Sequence, residues 1–171
     1  MIEERNYKFK LPNNHTIDII SDVVSGMLSH QQIAVSIPES GGLLLGYVDA
    51  KTNNDTISAM TTPQTGDLRT RLFCSLRDGG HYDILKQAMQ VKNYFMGTWH
   101  THPQKIPCPS STDWDDWHKT LSGTAEVVYR YVYYVIIGTE NMRIWVGDFK
   151  SKSIHELLEC KRFGSLYDEQ L

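Results

Sequence analysis

A short apolar run bounded by glycines is the feature that most restricts how this chain can fold. The run covers residues 42–48 and contains no charged side chain. A continuous apolar stretch of this length is typical of a central strand that is buried on both faces of a sheet. The polar stretch at residues 51–55 has the composition of a turn, so we expect residues 56–62 to pair with this strand.

Hydrophobic periodicity places the other elements around this strand. Apolar residues recur at helical spacing over residues 17–32 and 81–94, which predicts a helix in each segment. The N-cap residue types at residues 110–113 predict a third helix that runs to about Leu121. Further strands, rich in β-branched and aromatic residues or with alternating polarity, are predicted at residues 7–11, 95–100, 129–137 and 143–149.

Two segments have weaker patterns. Residues 63–80 mix proline, glycine and charges, which predicts a loop with one short strand. Residues 150–160 are compatible with one more strand or a short helix. With 171 residues, no repeats and no linker composition, the chain is expected to form one domain over residues 1–171. The order of elements predicts the α/β class, with a mixed β-sheet flanked by helices.

Composition restricts the partners and the compartment. The formal net charge is -3, so nothing indicates nucleic acid as a partner. No apolar run reaches the roughly 20 residues needed to cross a bilayer, and residues 1–10 lack the apolar stretch of a secretory signal. The odd number of widely spaced cysteines predicts free thiols in a reducing compartment. We therefore expect a cytoplasmic protein without membrane association.

Two histidines and an aspartate have the spacing of metal ligands. His100 and His102 are separated by one residue at the end of a predicted strand, so their side chains project from the same face. Asp113 begins the third predicted helix on the face shared with Trp117 and Leu121, where a buried carboxylate needs a compensating charge. Three such ligands are typical of a catalytic zinc ion that keeps its fourth position for water.

A zinc ion of this kind predicts hydrolysis of an acyl bond. Zinc lowers the pKa of its water to about 7 and polarises a carbonyl oxygen. A carboxylate is the usual base for the proton of that water, and Glu39, just before the apolar strand, is the best candidate. Gly41 and Gly42 have no side chains that would keep this segment away from the histidines. Ser110, three residues before Asp113, is a candidate donor to the oxyanion of a tetrahedral intermediate.

The spacing of these residues resembles the signature of the JAMM (MPN-plus) metalloproteases. That signature is a glutamate, then H-x-H-P and a downstream S-x-x-D. The chain matches it at every chemical position, with Glu39 before the glycine pair, HTHP at residues 100–103 and SSTD at residues 110–113. The resemblance implies the cytidine-deaminase-like α/β fold of JAB/MPN domains over most of the chain.

The resemblance also assigns roles and a reaction. It implies that Glu39 is the general acid/base, that Ser110 supports the oxyanion, and that the zinc ligands are His100, His102 and Asp113. The implied reaction is cleavage of a peptide or isopeptide bond after the C-terminal tail of a ubiquitin-like protein. The chain is most similar to bacterial single-domain JAMM enzymes of antiphage operons such as CBASS, so E1-like and E2-like proteins are expected partners.

Other assignments fit part of the pattern. Cys108 is close to the histidines in sequence and could replace Asp113 on zinc, since thiolates bind zinc well. A nucleic-acid deaminase also uses a zinc-bound water, but its H-x-E and P-C-x-x-C signature does not occur in this sequence. Asp67 and Asp78 are the next candidates for the base. The remaining histidines lack ligand spacing and are expected at surface or incidental positions.

Three functions are compatible with the motif. Besides deconjugation, they are hydrolysis of a sulfur-carrier protein or a small amide by the same fold, and a non-catalytic MPN scaffold. Scaffolds lose one or more motif residues, and none is lost here. For deconjugation, an exposed strand edge is expected to bind an extended tail. We predict this edge within residues 63–80, with Arg69, Leu72 and Phe73 lining a groove.

Overall fold

The computed structural model describes residues 2–123 and 129–159. Within these residues the chain forms three helices and ten strands. The helices are α1 (Ser21–Leu28), α2 (Gly80–Gln90) and α3 (Ser111–Ser122). The strands are β1 (Tyr7–Lys10), β2 (Thr16–Ile19), β3 (Gly41–Val48), β4 (Asp55–Met60), β5 (Leu68–Thr70), β6 (Phe73–Ser75), β7 (Tyr94–Thr101), β8 (Tyr131–Ile137), β9 (Met142–Asp148) and β10 (Ile154–Glu156).

Eight of these strands form one mixed sheet in the order β1-β2-β4-β3-β7-β8-β9-β10. The pairs β2–β4 and β7–β8 are parallel, and the other neighbouring pairs are antiparallel. The remaining strands, β5 and β6, form a separate antiparallel hairpin. The predicted α/β class and mixed sheet are therefore confirmed. The predicted central strand, β3, lies beside the histidine strand, β7.

Helices pack on both faces of the sheet, which explains the apolar sequence of its central strands. Every residue of β8 is buried. Its odd-numbered residues, such as Tyr133 and Val135, join a core with Val24 and Met27 of α1. Its even-numbered residues pack with Trp117 of α3 on the opposite face. Burial on both faces is the property that a continuous apolar strand sequence indicates.

The prediction of one helix over residues 17–32 is wrong at both ends. Residues Thr16–Ile19 form strand β2, and helix α1 covers only Ser21–Leu28. The two isoleucines of β2 are fully buried while the residues beside them are partly exposed, which is the two-residue period of a strand. A segment this short fits both the helical period and the two-residue period of a strand. Its pairing with β1 and β4 makes it a strand.

The second predicted helix, over residues 81–94, also ends early. Helix α2 stops at Gln90, and Tyr94 already belongs to β7. Lys92 has a φ of 62°, a left-handed conformation that reverses the chain between the two elements. The other predicted helix and strands begin and end within two residues of their observed bounds.

The two weakly patterned segments both contain strands. Residues 63–80 contain two short strands, β5 and β6, rather than the single one predicted. Residues 150–160 contain the short strand β10, which pairs with β9. The prediction of one domain over residues 1–171 stays a prediction.

Two expectations from composition concern cysteines and membranes. Cys74 and Cys108 are free thiols, as predicted, and Cys160 lies outside the described residues. None of the three described helices has the length and apolar character needed to cross a membrane.

Gly97 permits the close approach of β7 to β8. Its φ of 149° is rarely adopted by L-residues, and a Cβ there would overlap the backbone of Tyr133. We expect Gly97→Ala to lower the free energy of unfolding by about 3 kcal/mol or more, because one strand must move. Denaturant titration measures the loss.

The control for this prediction is Gly79→Ala. No atom lies within 4 Å of a Cβ built on Gly79, so the free energy of unfolding should change by less than about 1 kcal/mol. Equal destabilisation by both substitutions would contradict the role assigned to Gly97.

Candidate active site

His100 and His102 lie side by side at the carboxyl end of β7. His100 pairs with Gly41 of β3 and Ile136 of β8. The N–H of His102 donates to the carbonyl of Ile137 at 2.9 Å, which extends the pairing one residue past the strand. The two imidazole rings face the same side, with their Nε2 atoms 3.1 Å apart. This is the arrangement that the one-residue spacing predicts.

Asp113 reaches the histidines from the first turn of α3. Its N–H donates to the hydroxyl of the N-cap residue Ser110 at 3.1 Å, and its Oδ2 accepts from the N–H of Ser110 at 2.7 Å. This capping box fixes the carboxylate at the helix start. Its Oδ1 lies 3.2 Å from His100 Nε2 and its Oδ2 lies 3.4 Å from His102 Nε2.

These three side chains form a site that could hold a metal ion. The two imidazole Nε2 atoms lie 3.1 Å apart, and each lies near a different oxygen of Asp113, at 3.2 and 3.4 Å. With one atom taken from each residue, the three atoms lie within 4.8 Å of one another. Two imidazoles and one carboxylate are a donor set that zinc accepts. Cys108 does not belong to this group, and its exposed Sγ lies 3.6 Å from Arg143 Nη1. The geometry therefore favours Asp113 over Cys108 as the third ligand.

Glu39 lies beside this group, two residues before β3 begins. Its side chain is 6% exposed, and its Oε1 is 3.7 Å from His102 Nε2. Burial raises the pKa of Glu39 from 4.5 to about 7, Asp113 adds to the rise, and His102 opposes it. A carboxyl group with this pKa is divided between its two protonation states near neutral pH.

The pKa values of the ligands are coupled to one another. Burial lowers the pKa of His102, but contact with Asp113 and the charge of Glu39 outweigh burial and leave the pKa raised. Burial raises the pKa of Asp113, but contacts with His100 and His102 hold it well below its usual range. At neutral pH Asp113 is therefore a carboxylate, as a metal ligand must be.

The alternative bases, Asp67 and Asp78, are occupied elsewhere. Asp67 lies 2.7 Å from His81 Nε2 and accepts hydrogen bonds from the N–H groups of Arg77 and Asp78. Asp78 accepts from the N–H groups of two glycines. His81 is 3% exposed, so the expectation of a surface or incidental position is wrong for this histidine. These groups hold the turns around the β5–β6 hairpin together.

A cavity of about 310 Å³ opens over the four site residues. The β5–β6 hairpin forms one wall with Leu72, Phe73 and Cys74. Helix α3 also lines the cavity, with residues that include Asp116 and Trp117. We call this space the cleft. Burial raises the pKa of Cys74 to about 11, so its thiol stays protonated and unreactive at neutral pH.

Sequence reasoning missed the residues that hold the segment carrying Glu39. Thr101, between the two histidines, points to the opposite side of β7, where its hydroxyl accepts from the N–H of Ser40 and donates to Gln32. The alternation of side chains along a strand predicts that Thr101 lies on the face opposite the two histidines. Arg69, predicted to line a groove, instead bonds to the backbone of Glu39 and is not among the residues that line the cleft.

The fold is that of a JAB-domain protein. Residues 21–147 match the family described as prokaryotic homologs of the JAB domain, and the chain belongs to this family. The family resemblance carried by the sequence motif is therefore confirmed, together with the predicted JAB/MPN fold.

Relatives with known names cover most of the chain. The chain is 26% identical over 150 residues to a CD-NTase/cGAS isopeptidase of Vibrio cholerae serotype O1, covering 86% of this chain and 90% of the relative. It is 28% identical over 148 residues to a CD-NTase/cGAS isopeptidase of Escherichia coli, covering 85% and 88%. The solution structure of a protein from Desulfitobacterium hafniense matches with a TM-score of 0.55 and 18% identity, over 81% and 87% of the two chains. That last likeness shows the fold alone.

The raised pKa of Glu39 predicts how stability depends on pH in the metal-free protein. Because the folded-state pKa exceeds the usual value of 4.5, the folded protein binds this proton more tightly than the unfolded chain. The resulting stability is complete below pH 4.5 and is lost as the pH rises through about 7. Metal-free Glu39→Gln should therefore exceed metal-free wild type in free energy of unfolding at about pH 8, by up to about 3 kcal/mol.

Denaturant titrations of both metal-free proteins test this prediction. The two free energies of unfolding should converge near about pH 4, where glutamate is neutral in both states. A difference that stays constant between these pH values would contradict a buried carboxyl group with a raised pKa.

Proposed function

We propose that the chain is a zinc-dependent isopeptidase that hydrolyses the bond after the C-terminal tail of a ubiquitin-like protein. One observation carries the proposal: a buried glutamate and three candidate metal ligands converge in one cleft, and they are Glu39, His100, His102 and Asp113. The JAB family and the isopeptidase names of the two relatives support a hydrolase of this type.

Zinc suits the donor set of this site. Two neutral imidazoles and one carboxylate are ligands that zinc accepts, and one atom from each of the three residues lies within 4.8 Å of the others. When bound, zinc supplies a Lewis acid that polarises the scissile carbonyl and makes hydroxide available near neutral pH.

Glu39 provides the proton transfers of the proposed reaction. Its carboxylate takes a proton from the attacking water and then gives it to the leaving nitrogen. In the metal-free protein burial raises the pKa of Glu39 to about 7, and a carboxyl group whose pKa is raised in this way can be a base before attack and an acid afterwards. Burial, the largest cause of this pKa, also keeps bulk water from competing for the proton.

Ser110 is proposed to stabilise the oxyanion of the tetrahedral intermediate. Its Oγ accepts a hydrogen bond from the N–H of Asp113, so the hydroxyl hydrogen is available to donate in another direction. The residue lines the cleft. Its capping contact holds the hydroxyl beside the first turn of α3, which carries the ligand Asp113.

The β5–β6 hairpin is the proposed binding place of the substrate tail. Among the described residues, β6 pairs with β5 alone, so its other edge can accept an extended peptide by β-augmentation. Phe73, in this strand, lines the cleft and is 37% exposed. Leu72, at the hairpin turn, is 77% exposed. A tail along this edge would end near Glu39 and the candidate ligands, which line the same cleft.

The biological setting is proposed from the relatives. Because both are named CD-NTase/cGAS isopeptidases, the conjugated protein is proposed to be a CD-NTase/cGAS protein. E1-like and E2-like proteins would form the conjugate in an antiviral defence system, and the reaction would take place in the cytoplasm. A non-catalytic scaffold is disfavoured, since the glutamate, both histidines, the serine and the aspartate of the motif all line the cleft.

The first test of this function concerns the metal. We expect about one zinc ion per chain after purification. His102→Ala and Asp113→Ala each remove a ligand, so zinc affinity should fall by more than about 100-fold, which exceeds the usual effect of changing an outer contact. Elemental analysis after dialysis measures the occupancy.

The matched control for the metal test is Cys108→Ser. Because the Cys108 thiol contacts Arg143 rather than the ligand group, this protein should keep its zinc. Loss of zinc from Cys108→Ser, with full occupancy in Asp113→Ala, would overturn the ligand assignment.

The second test uses a fusion that joins a ubiquitin-like tail to a second protein. Wild-type enzyme should cut it after the last residue of the tail. Glu39→Gln should keep zinc and fold but show no turnover, because the change removes a proton acceptor at almost constant volume. Ser110→Ala should lower kcat about 100-fold to 1000-fold, the usual loss for one oxyanion donor. Mass spectrometry of the products identifies the bond that is cut.

Two outcomes would contradict the substrate assignment or the base. A folded, zinc-loaded enzyme that leaves the fusion intact but cleaves a sulfur-carrier protein or a small amide would establish the alternative substrate. Full activity of Glu39→Gln would show that another group is the base.

A further inference from the structure

Strand β5 holds both main-chain polar groups of Glu39. The N–H of Glu39 donates to the carbonyl of Thr70 at 2.7 Å. The carbonyl of Glu39 accepts from Arg69 Nε, also at 2.7 Å. The Nη2 group of the same guanidinium donates to the Ser40 hydroxyl at 2.6 Å. One strand of the hairpin therefore fixes the backbone on both sides of the residue that carries the base.

Arg69 is suited to this contact by its shape and position. The guanidinium is planar and presents its donors in fixed directions, so two simultaneous bonds define the orientation of residues 39 and 40. Arg69 pairs across the hairpin with Cys74, which lines the cleft, while Arg69 itself does not line the cleft. Its side chain thus acts on the backbone of Glu39 and is not placed to touch a substrate in the cleft.

The next residue along the chain is held from the other side. The N–H of Ser40 donates to Thr101 Oγ1 at 3.0 Å, and the N–H of Thr101 donates to the carbonyl of Ser40 at 2.9 Å. Thr101 lies between the two histidines on β7. The segment 39–40 is therefore bonded to the hairpin on one side and to the ligand strand on the other, and Arg69 makes two of the hairpin bonds.

We propose that Arg69 is a positioning residue that sets the place of Glu39 relative to the candidate metal ligands and couples it to the β5–β6 hairpin. The inference rests on the proposed role of Glu39 as the base. Loss of the guanidinium leaves the bonds of Ser40 to β7 intact but frees the Glu39 carbonyl. The effect should therefore fall on kcat, with substrate binding in the cleft preserved.

The kinetic test compares Arg69→Ala with wild type on the ubiquitin-like fusion. We expect kcat to fall about tenfold to 100-fold, as for the loss of a charged hydrogen-bond donor, with KM within about twofold. Zinc content should not change. Millimolar guanidinium ion should restore part of kcat, because it can occupy the vacated place, whereas ammonium ion should not.

Lys51→Ala is the control, since Lys51 is an exposed cation in the turn between β3 and β4 and lies outside both the cleft and the hairpin. Its kcat and KM should equal those of wild type. Hydrogen exchange provides a reading that does not depend on turnover. The amides of Glu39 and Ser40 should exchange about tenfold faster in Arg69→Ala than in wild type, because local opening becomes easier. They should be unchanged in Lys51→Ala.

Three results would overturn the inference: an unchanged kcat in folded Arg69→Ala, a loss confined to KM, or a loss that guanidinium does not reverse. If Arg69→Ala does not fold, Arg69→Lys decides, because one ammonium cannot reproduce the two diverging bonds and kcat should still fall. An active Arg69→Lys enzyme with wild-type kcat would then overturn it. Failure of the proposed function is separate, because in that case wild type itself would leave the fusion intact.

Discussion

The candidate site depends on the close approach of strands β3 and β7. Gly41 pairs with His100, and a Cβ on Gly41 would lie 2.9 Å from the Trp99 carbonyl and 3.3 Å from the Cβ of His100. Because Gly41 has no side chain, the two strands approach closely, and the residues just before β3 reach the end of β7. Glu39 is thereby brought to 3.7 Å from His102. A larger residue at position 41 would move Glu39 away from the candidate metal ligands without altering either group.

The two buried carboxyl groups in the cleft, Asp113 and Glu39, have pKa values shifted in opposite directions. Asp113 contacts both imidazoles and accepts from the N–H of Ser110, so its pKa stays low despite burial. Glu39 has the charge of His102 at a longer distance, and burial dominates, so its pKa rises to about 7. Paired groups whose environments separate their pKa values commonly divide the work of a reaction. Here the low pKa of Asp113 suits a metal ligand, and the raised pKa of Glu39 suits a group that transfers protons.

The local part of this site could be predicted from the sequence, and the long-range part could not. Strand alternation places both histidines on one face, and N-cap preference places Asp113 at a helix start, because each depends on neighbours in the chain. The sequence predicts Arg69 in a groove, because it does not show which partner a long side chain reaches 30 residues away. It predicts a helix over strand β2 for a related reason, since β2 is stabilised by pairing with strands elsewhere in the sequence.

The root of the hairpin is attached to the main sheet by a buried hydrogen-bonded chain. Asp67 lies 2.7 Å from His81 Nε2, and His81 Nδ1 lies 2.6 Å from the hydroxyl of Thr61. That hydroxyl also accepts from the N–H of Leu43 in β3. Because Arg69 extends from the hairpin to the Glu39 backbone, the same sheet that carries the candidate ligands also fixes the strand that holds Glu39. If Glu39 is the base, as we propose, it is therefore oriented before a substrate arrives, and little reorganisation is left for the reaction itself.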